Sequence, residues 1–364
     1  MKHNWGYKPF AEICITLTPT SKIGKSEYLS HGQYPIISQE DIYISGYWND
    51  KKDITLHSSP VIIFGDHSRV LKYVDFEFVV GADGVKIIQP IGLLDAKFLY
   101  HFLRWYNVPS LGYSRHFKLL KEANYPVPPM EIQKQIVEEF DQINDLIAKN
   151  RELLSELDAL AQSLFYDTFG DPSVNPKYFP LCALSDICDA ISTGITYKPE
   201  MVAEDGTIVL RSSNIQESKF VLDDIVRVQM QLKESQYVKK NDILMCSRNG
   251  SARLVGKVCL IPDHNEKMSW GAFMTIIRSK HFRFLFHYFR LPAFREQLKK
   301  TKTSTVNQIT IGMLKGIKLP FPPLALQEDF AAKVEAIESQ KAKVEAEIAE
   351  LQTLLNARMD YWFN

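Results

Sequence analysis

Cysteine is scarce in this chain of 364 residues. There are five (Cys14, Cys182, Cys188, Cys246 and Cys259), scattered and odd in number. That excludes a disulfide framework and makes a reducing cytoplasm the expected setting. Long apolar runs are also missing, because charge interrupts each one, so no membrane span is expected. The opening MKHNWGYKPF has no apolar run behind its lysine, so no secretory signal is expected either. Charge of one sign is not in excess: 43 basic and 43 acidic side chains leave a formal net charge of zero. What is present is ordinary for a soluble folded protein, with 45% apolar and 24% charged residues, which argues against global disorder. The length suggests two or three domains.

Catalytic signatures are absent as well. There is no GxGxxG and no GxxxxGK[ST] loop to cradle a nucleotide. Nine histidines and five cysteines show no CxxC or HxxxH spacing that would build a metal site. Asn175-Pro176-Lys177-Tyr178 is a faint likeness of the NPPY motif of amino-methyltransferases, but no cofactor-binding glycine motif accompanies it and it reads as a turn. Asp205 with Glu217-Ser218-Lys219 imitates the D…ExK spacing of metal-dependent nucleases, a triplet that arises by chance in such a chain. His101 and His287 sit at matching places on apolar helix faces, where single histidines are usually hydrogen-bonded core residues. The expectation is a chain with no catalytic or metal site of its own.

The zero net charge hides segregation. Residues 1–130 carry +2, residues 131–170 carry −6, residues 171–323 carry +8 and residues 324–364 carry −4. Local positive charge is all that contact with phosphates requires.

A repeat of the sequence accompanies the alternation. LKEANYPVPPMEIQ (Leu120 to Gln133) aligns with LKGIKLPFPPLALQ (Leu314 to Gln327) at an offset of 194, and FLYHFLR (from Phe98) with FLFHYFR (from Phe284) at an offset of 186. One unit is a globular segment, a short aromatic helix, an apolar-Pro-Pro punctuation and a long helix, used twice. After Pro128-Pro129, Ile136, Phe140, Ile143, Ile147, Leu154, Leu157, Ala161 and Leu164 recur at three and four spacing, a heptad seam interrupted by Asn150. Gly170-Asp171-Pro172 ends that helix. The second copy runs Phe330, Val334, Ile337, Val344, Ile348, Leu351 and Leu355, with Lys341 as its polar intruder. Each helix of about 37 residues would be roughly 55 Å long. Such apolar stripes should pack on each other, antiparallel if a pseudo-two-fold axis relates the units. Between the helices, strand-like runs (Val61 to Phe64, Phe78 to Val80, Val85 to Ile88, Ile243 to Met245, Phe273 to Ile277) alternate with turns and with short helices near 94–106 and 282–299. The fold class is α+β: two globular domains separated by two long antiparallel coiled-coil helices. The expected boundaries are 1–129 and 171–323 for the globular domains, and 130–170 and 324–364 for the helices.

Binding signals are clearer than catalytic ones. The first domain has a polar loop after a strand with His67, Ser68 and Arg69, and a second stretch with Tyr113, Arg115, His116 and Lys118. The second domain offers Arg248, Asn249 and Arg253 in one stretch, and Lys299, Lys300, Lys302, Asn307 and Gln308 in another. Such side chains hold phosphates and read base edges, and loops on a rigid scaffold are where they would sit. A solvated surface loop is the plain alternative, made less attractive by the matching positions in the repeat.

Two variable globular segments, each followed by an apolar-Pro-Pro-x-x-x-Q helix, resemble the DNA specificity subunits of type I restriction–modification systems. The residues that carry the likeness are Tyr125 to Gln133 and Leu319 to Gln327, and Phe78-Val79-Val80-Gly81-Ala82-Asp83-Gly84 resembles a stretch common in such target-recognition domains. The resemblance implies that each globular domain reads one half of a bipartite, asymmetric site in double-stranded DNA. It implies that the helices set the spacing and dock two adenine-N6 methyltransferase subunits, with an ATP-dependent translocase/nuclease joining. The chain itself would be non-catalytic and bind no cofactor; S-adenosylmethionine would belong to the methyltransferase, and ATP and Mg2+ to the nuclease. The seams differ (Asn150 against Val344, Ile147 against Lys341), and the second unit has eight more residues between aromatic helix and Pro-Pro junction. Two different half-sites are therefore expected. A coiled-coil scaffold that binds proteins but no DNA, and an enzyme with a degenerate site near Asn175 or Glu217, stay open at this point.

Overall fold

The computed structural model describes residues 5–57, 60–92, 94–112, 114–301 and 307–364, without the side chains of 300 and 301. It divides into two compact units, residues 1–153 with 344–364 and residues 154–343. Each unit therefore owns one half of each long helix, Met130–Phe169 and Leu324–Phe363. Among the described residues no helix is long and apolar enough to cross a membrane.

In the first unit, β-branched runs build a four-stranded antiparallel sheet in the order Cys14–Leu17, Val85–Pro90, Val61–Gly65, Leu71–Val74. Successive side chains of the central strand point to opposite faces. Ile62 and Phe64 join Ile88 against the helix Ala96–Tyr106, whereas Val61 and Ile63 join Ile87 against Phe78 and Val80. Burial on both faces explains why this strand is continuously apolar. A smaller sheet runs Lys22–Ile23, Val79–Gly81, Tyr34–Ile37, Gly46–Trp48, and Gly6–Pro9 pairs with Asn124–Val127 just before the Pro-Pro junction.

The second unit repeats the main sheet strand for strand: Ala190–Thr193, Met274–Arg278, Ile243–Cys246, Val258–Leu260, all antiparallel. Leu181–Ala183 pairs with Lys318–Pro320 at its own Pro-Pro junction. Two details differ from the sequence reading. The run starting at Phe273 becomes a strand only at Met274, because Gly271 to Phe273 form the turn after Met268–Trp270. The expected helix over 282–299 is two helices, Phe282–Arg290 and Pro292–Thr301, broken where Pro292 cannot continue the hydrogen-bond ladder.

The repeated glutamine has a plain role. The Gln133 amide donates to Pro128 O (2.8 Å) and its carbonyl accepts from Asp95 N–H (2.8 Å), the N-cap of the aromatic helix. Gln327 does the same with Pro322 O (2.8 Å) and His281 Nδ1 (2.9 Å). Each clips the start of a long helix to the start of the aromatic helix before it.

The half-helices run antiparallel within each unit. In the first, Glu139 meets Arg358 and Trp362, while Asn150 donates to Glu347 (3.3 Å). In the second, Lys341 meets Asp158 (2.8 Å) and Phe330 packs on Phe165 and Phe169. Ile136, Phe140, Ile143, Ile147, Val334, Ile337 and Val344 are buried; Leu154, Leu157, Ile348 and Leu351 are half-buried. At the end of the first helix the buried residue is Phe165, with Leu164 only half-buried, since an α-helix drifts from a strict 3.5-residue repeat and the aromatic cluster takes the better-placed ring. Gly170 closes that helix at φ +78°, donating to Tyr166 O (2.7 Å); a Cβ there would lie 2.5 Å from Pro176.

Candidate nucleic-acid interface

In each unit the loop that leaves the central strand is bonded to the segment before the short helix that precedes the Pro-Pro junction. In the first unit, Asp66 follows strand Val61–Gly65, and Asp66 O accepts from His116 N–H (2.9 Å). Asp66 Oδ1 accepts from Phe117 N–H (2.9 Å), capping the helix Phe117–Glu122 from outside. In the second, Ser247 follows strand Ile243–Cys246, and Ser247 O accepts from Ile309 N–H (2.8 Å). Arg248 forms an antiparallel bridge with Gln308. Stretches that lie about 50 and 60 positions apart in sequence thus become one surface in each unit.

The candidate side chains divide by what they already do. His116 is buried; Leu111 N–H donates to its Nε2 (3.0 Å), so Nδ1 carries the proton and donates to Asp66 O (3.0 Å). Expected in the sequence as a contact residue, it instead organises the loop from inside. Arg69, at φ +61°, donates to Val108 O (2.9 Å), and Ser68 donates to Gln39 O (2.6 Å). His67, Arg115 and Lys118 are exposed. Tyr113 and Lys302 lie outside the described residues, as does the side chain of Lys300.

In the second unit Asn249 holds the loop, donating to Ser212 Oγ (3.1 Å) and accepting from Ser251 N–H (3.0 Å). Asn307 donates to Gly250 O (3.4 Å), Gln308 is half-buried at the bridge, and Lys299 pairs with Glu296 (3.8 Å). Arg253 is exposed, and so is Arg248, whose guanidinium sits 5.1 Å from the centre of the Phe273 ring. Burial raises the pKa of Cys246, at the foot of this loop, so it is a neutral thiol. A cavity of about 500 Å³ opens beside the loop, walled by Tyr197, Arg211, Ser212, Arg248, Asn249 and Phe273.

Gln39, Asp66 and Phe273 are not among the candidate residues read from the sequence. Asp66 lies in the polar loop that ends at Arg69 and Phe273 heads a strand-like run, but their roles rest on contacts distant in sequence. Gln39 donates to Asp83 O (2.9 Å) besides accepting the Ser68 hydroxyl on its backbone, and nothing local marks it. The two catalytic look-alikes have structural roles. Asn175 exchanges hydrogen bonds with Phe179 (2.8 and 3.0 Å), and Glu217-Ser218 are the positive-φ turn of the hairpin Ile215–Gln216, Lys219–Phe220. Among the described residues no group of three or more His, Cys, Asp or Glu is placed to hold a metal ion.

The family model described as type I restriction modification DNA specificity domain matches residues 2–159 and 177–353. The EcoKI specificity subunit of Escherichia coli K12 is 29% identical over 192 residues, 50% of this chain and 40% of that protein. The StySPI specificity subunit of Salmonella potsdam is 28% identical over 174 residues, 44% of this chain and 37% of that protein. Both matches thus span about two fifths of the relatives' length. In structure, a type I S subunit from M. genitalium aligns over 98% of this chain and 96% of its own, with a TM-score of 0.54 at 14% identity. A chain from a type I restriction–modification assembly aligns over 99% and 97%, with a TM-score of 0.58 at 17% identity. These structural matches concern the fold.

Proposed function

The chain belongs to the family of type I restriction–modification DNA specificity domains, and from that premise we propose that it is the DNA-reading subunit of such a system. Each unit reads one half of a bipartite, asymmetric duplex site. The helices set the spacing and dock two adenine-N6 methyltransferase subunits, and an ATP-dependent translocase/nuclease joins the assembly. In this reading residues 1–129 and 171–323 are the target-recognition domains, 130–170 and 324–364 the connecting helices, and the site of action is the cytoplasm. The chain contributes no catalytic group; S-adenosylmethionine is the methyltransferase's, ATP and Mg2+ the nuclease's.

One observation carries the proposal: both units clamp the same pair of loops with the same kind of backbone bond, at Asp66 and at Ser247, on sheets of identical strand order. A fixed frame with a differing rim (His67, Arg115 and Lys118 against Arg248 and Arg253) is what two readers of different half-sites require.

The test is selection of the full-length chain on a random-sequence duplex pool at rising salt. The expected result is enrichment of a two-part motif, with affinity falling linearly in log salt as phosphate contacts release counterions. Failure to bind duplex at any salt would leave a protein-binding scaffold. Tight S-adenosylmethionine binding by the isolated chain, read by calorimetry, would place catalysis here and overturn the subunit reading.

A further inference from the structure

We infer that Arg248, seated over Phe273, reads a guanine in the half-site of the second unit; the inference rests on the DNA-reading function proposed above. The Phe273 carbonyl accepts from both Ser247 N–H (2.9 Å) and Arg248 N–H (3.0 Å), which fastens the loop to the turn before strand Met274–Arg278. On its other side the Arg248 backbone is bridged to Gln308. A side chain whose backbone is tied on both sides starts from a fixed point, as a reading group must.

The guanidinium is placed as well. It lies 5.1 Å from the centre of a ring that is 57% exposed, at the rim of the cavity of about 500 Å³. A guanidinium drawn to a ring by cation–π attraction still has N–H donors to offer a base. The polar neighbours are differently engaged: Asn249 is bonded to Ser212 and Ser251, Asn307 to Gly250, and Arg211 to Asp224.

The base follows from the donor inventory. Arginine presents five donors and no acceptor. Guanine alone offers two adjacent acceptors, N7 and O6, in the major groove; adenine sets an amino donor beside N7, and thymine and cytosine lack a second acceptor there. Phe273 is on this account a positioning residue, acting through Arg248.

The experiment sequences the duplexes selected from a random pool by the full-length wild-type chain and four variants, each checked for an unchanged melting temperature. Wild type is expected to select a G·C pair that Arg248→Gln and Arg248→Lys no longer require, with the other half-site intact. Lysine keeps the charge but loses the fork, so it separates reading from simple attraction. Phe273→Ala should reduce discrimination at that one position about tenfold, and Phe273→Trp should restore it. A wild-type motif that Arg248→Gln leaves intact overturns the guanine assignment alone. So does a uniform loss of affinity at all sequences, the mark of a phosphate contact, or a lost preference for an A·T pair. A wild-type chain that enriches no motif overturns the DNA-reading function itself, and this inference with it.

Discussion

At the scale of single residues, burial separates groups that hold the loops from groups that face outwards. Replacing His116 by Ala should remove a buried ring together with its bonds to the Leu111 N–H and the Asp66 carbonyl, a loss of about 1–3 kcal/mol. The salt dependence of duplex binding should remain as in wild type, since no surface charge is removed. Arg115→Ala should do the reverse, keeping stability and flattening the salt slope by about one counterion if it meets a phosphate. Denaturation midpoints and binding isotherms at several salt concentrations check both. His287 makes a different forecast. Burial first, and then the charges of Arg290 and Lys341, push its pKa from 6.5 down to about 3. The unfolded chain therefore binds a proton between those values that the folded chain refuses, so stability rises with pH across that window and falls as pH drops from about 6.5 towards 3. The contribution is on the order of a few kcal/mol. Urea midpoints measured from pH 7 to pH 4.5 should fall more steeply in wild type than in His287→Phe; parallel profiles would mean the ring is protonated in the fold.

At the scale of elements, the long helices and the clip were legible to different degrees. Heptad spacing marks Ile136 to Ile147 and Phe330 to Val344 directly, because burial in a helix pair imposes its period on the sequence. Phe165 escapes that reading because the aromatic cluster around Phe284 and Phe330, distant in sequence, decides which side chain turns inwards. Gln133 and Gln327 are visible as identical letters, yet why glutamine is needed shows only when Asp95 and His281 arrive from nearly 40 and about 50 positions away. The loop clamps at Asp66 and Ser247 are non-local in the same way, and Phe273 was hidden inside an apolar run whose first residue belongs to a turn. Gln133→Ala should orphan the Asp95 N–H and Pro128 carbonyl and cost about 1–3 kcal/mol for each group left buried and unpaired, whereas Gln133→Glu should keep the acceptor side only. Thermal melting of the two variants checks the order, with glutamate the less stable at neutral pH because its carboxylate would be buried against the Pro128 carbonyl oxygen. The buried Lys341 is a second element-scale device. Burial opposes its charge, but Asp158 and Glu338 more than offset that and raise its pKa, while Asp158, also desolvated, is held below the usual carboxylate range by Lys341 and Arg290. Such a pair suits the fixing of register more than the raising of stability.

At the scale of the whole molecule, both long helices pass from one unit to the other, the first at Leu153–Leu154 and the second at Lys343–Val344. If helix length measures the spacer between half-sites, both must be lengthened together, since an insertion in one alone shifts its seam against the other. A heptad inserted at each crossing keeps the a/d phase and adds about 10 Å at 1.5 Å per residue. B-DNA rises about 3.4 Å per base pair, so the selected motif should gain up to about three base pairs of spacer while each half keeps its bases. Three base pairs also turn the second half-site by about a third of a revolution around the duplex, and the added heptad contributes its own supercoil rotation of the pair. A partial gain with weaker affinity is therefore the physically expected form of the result. Sequencing the duplexes bound by the lengthened chain reads both quantities at once. An unchanged spacer at unchanged affinity would assign the helices to partner docking alone and place the measurement of distance in the partner subunits.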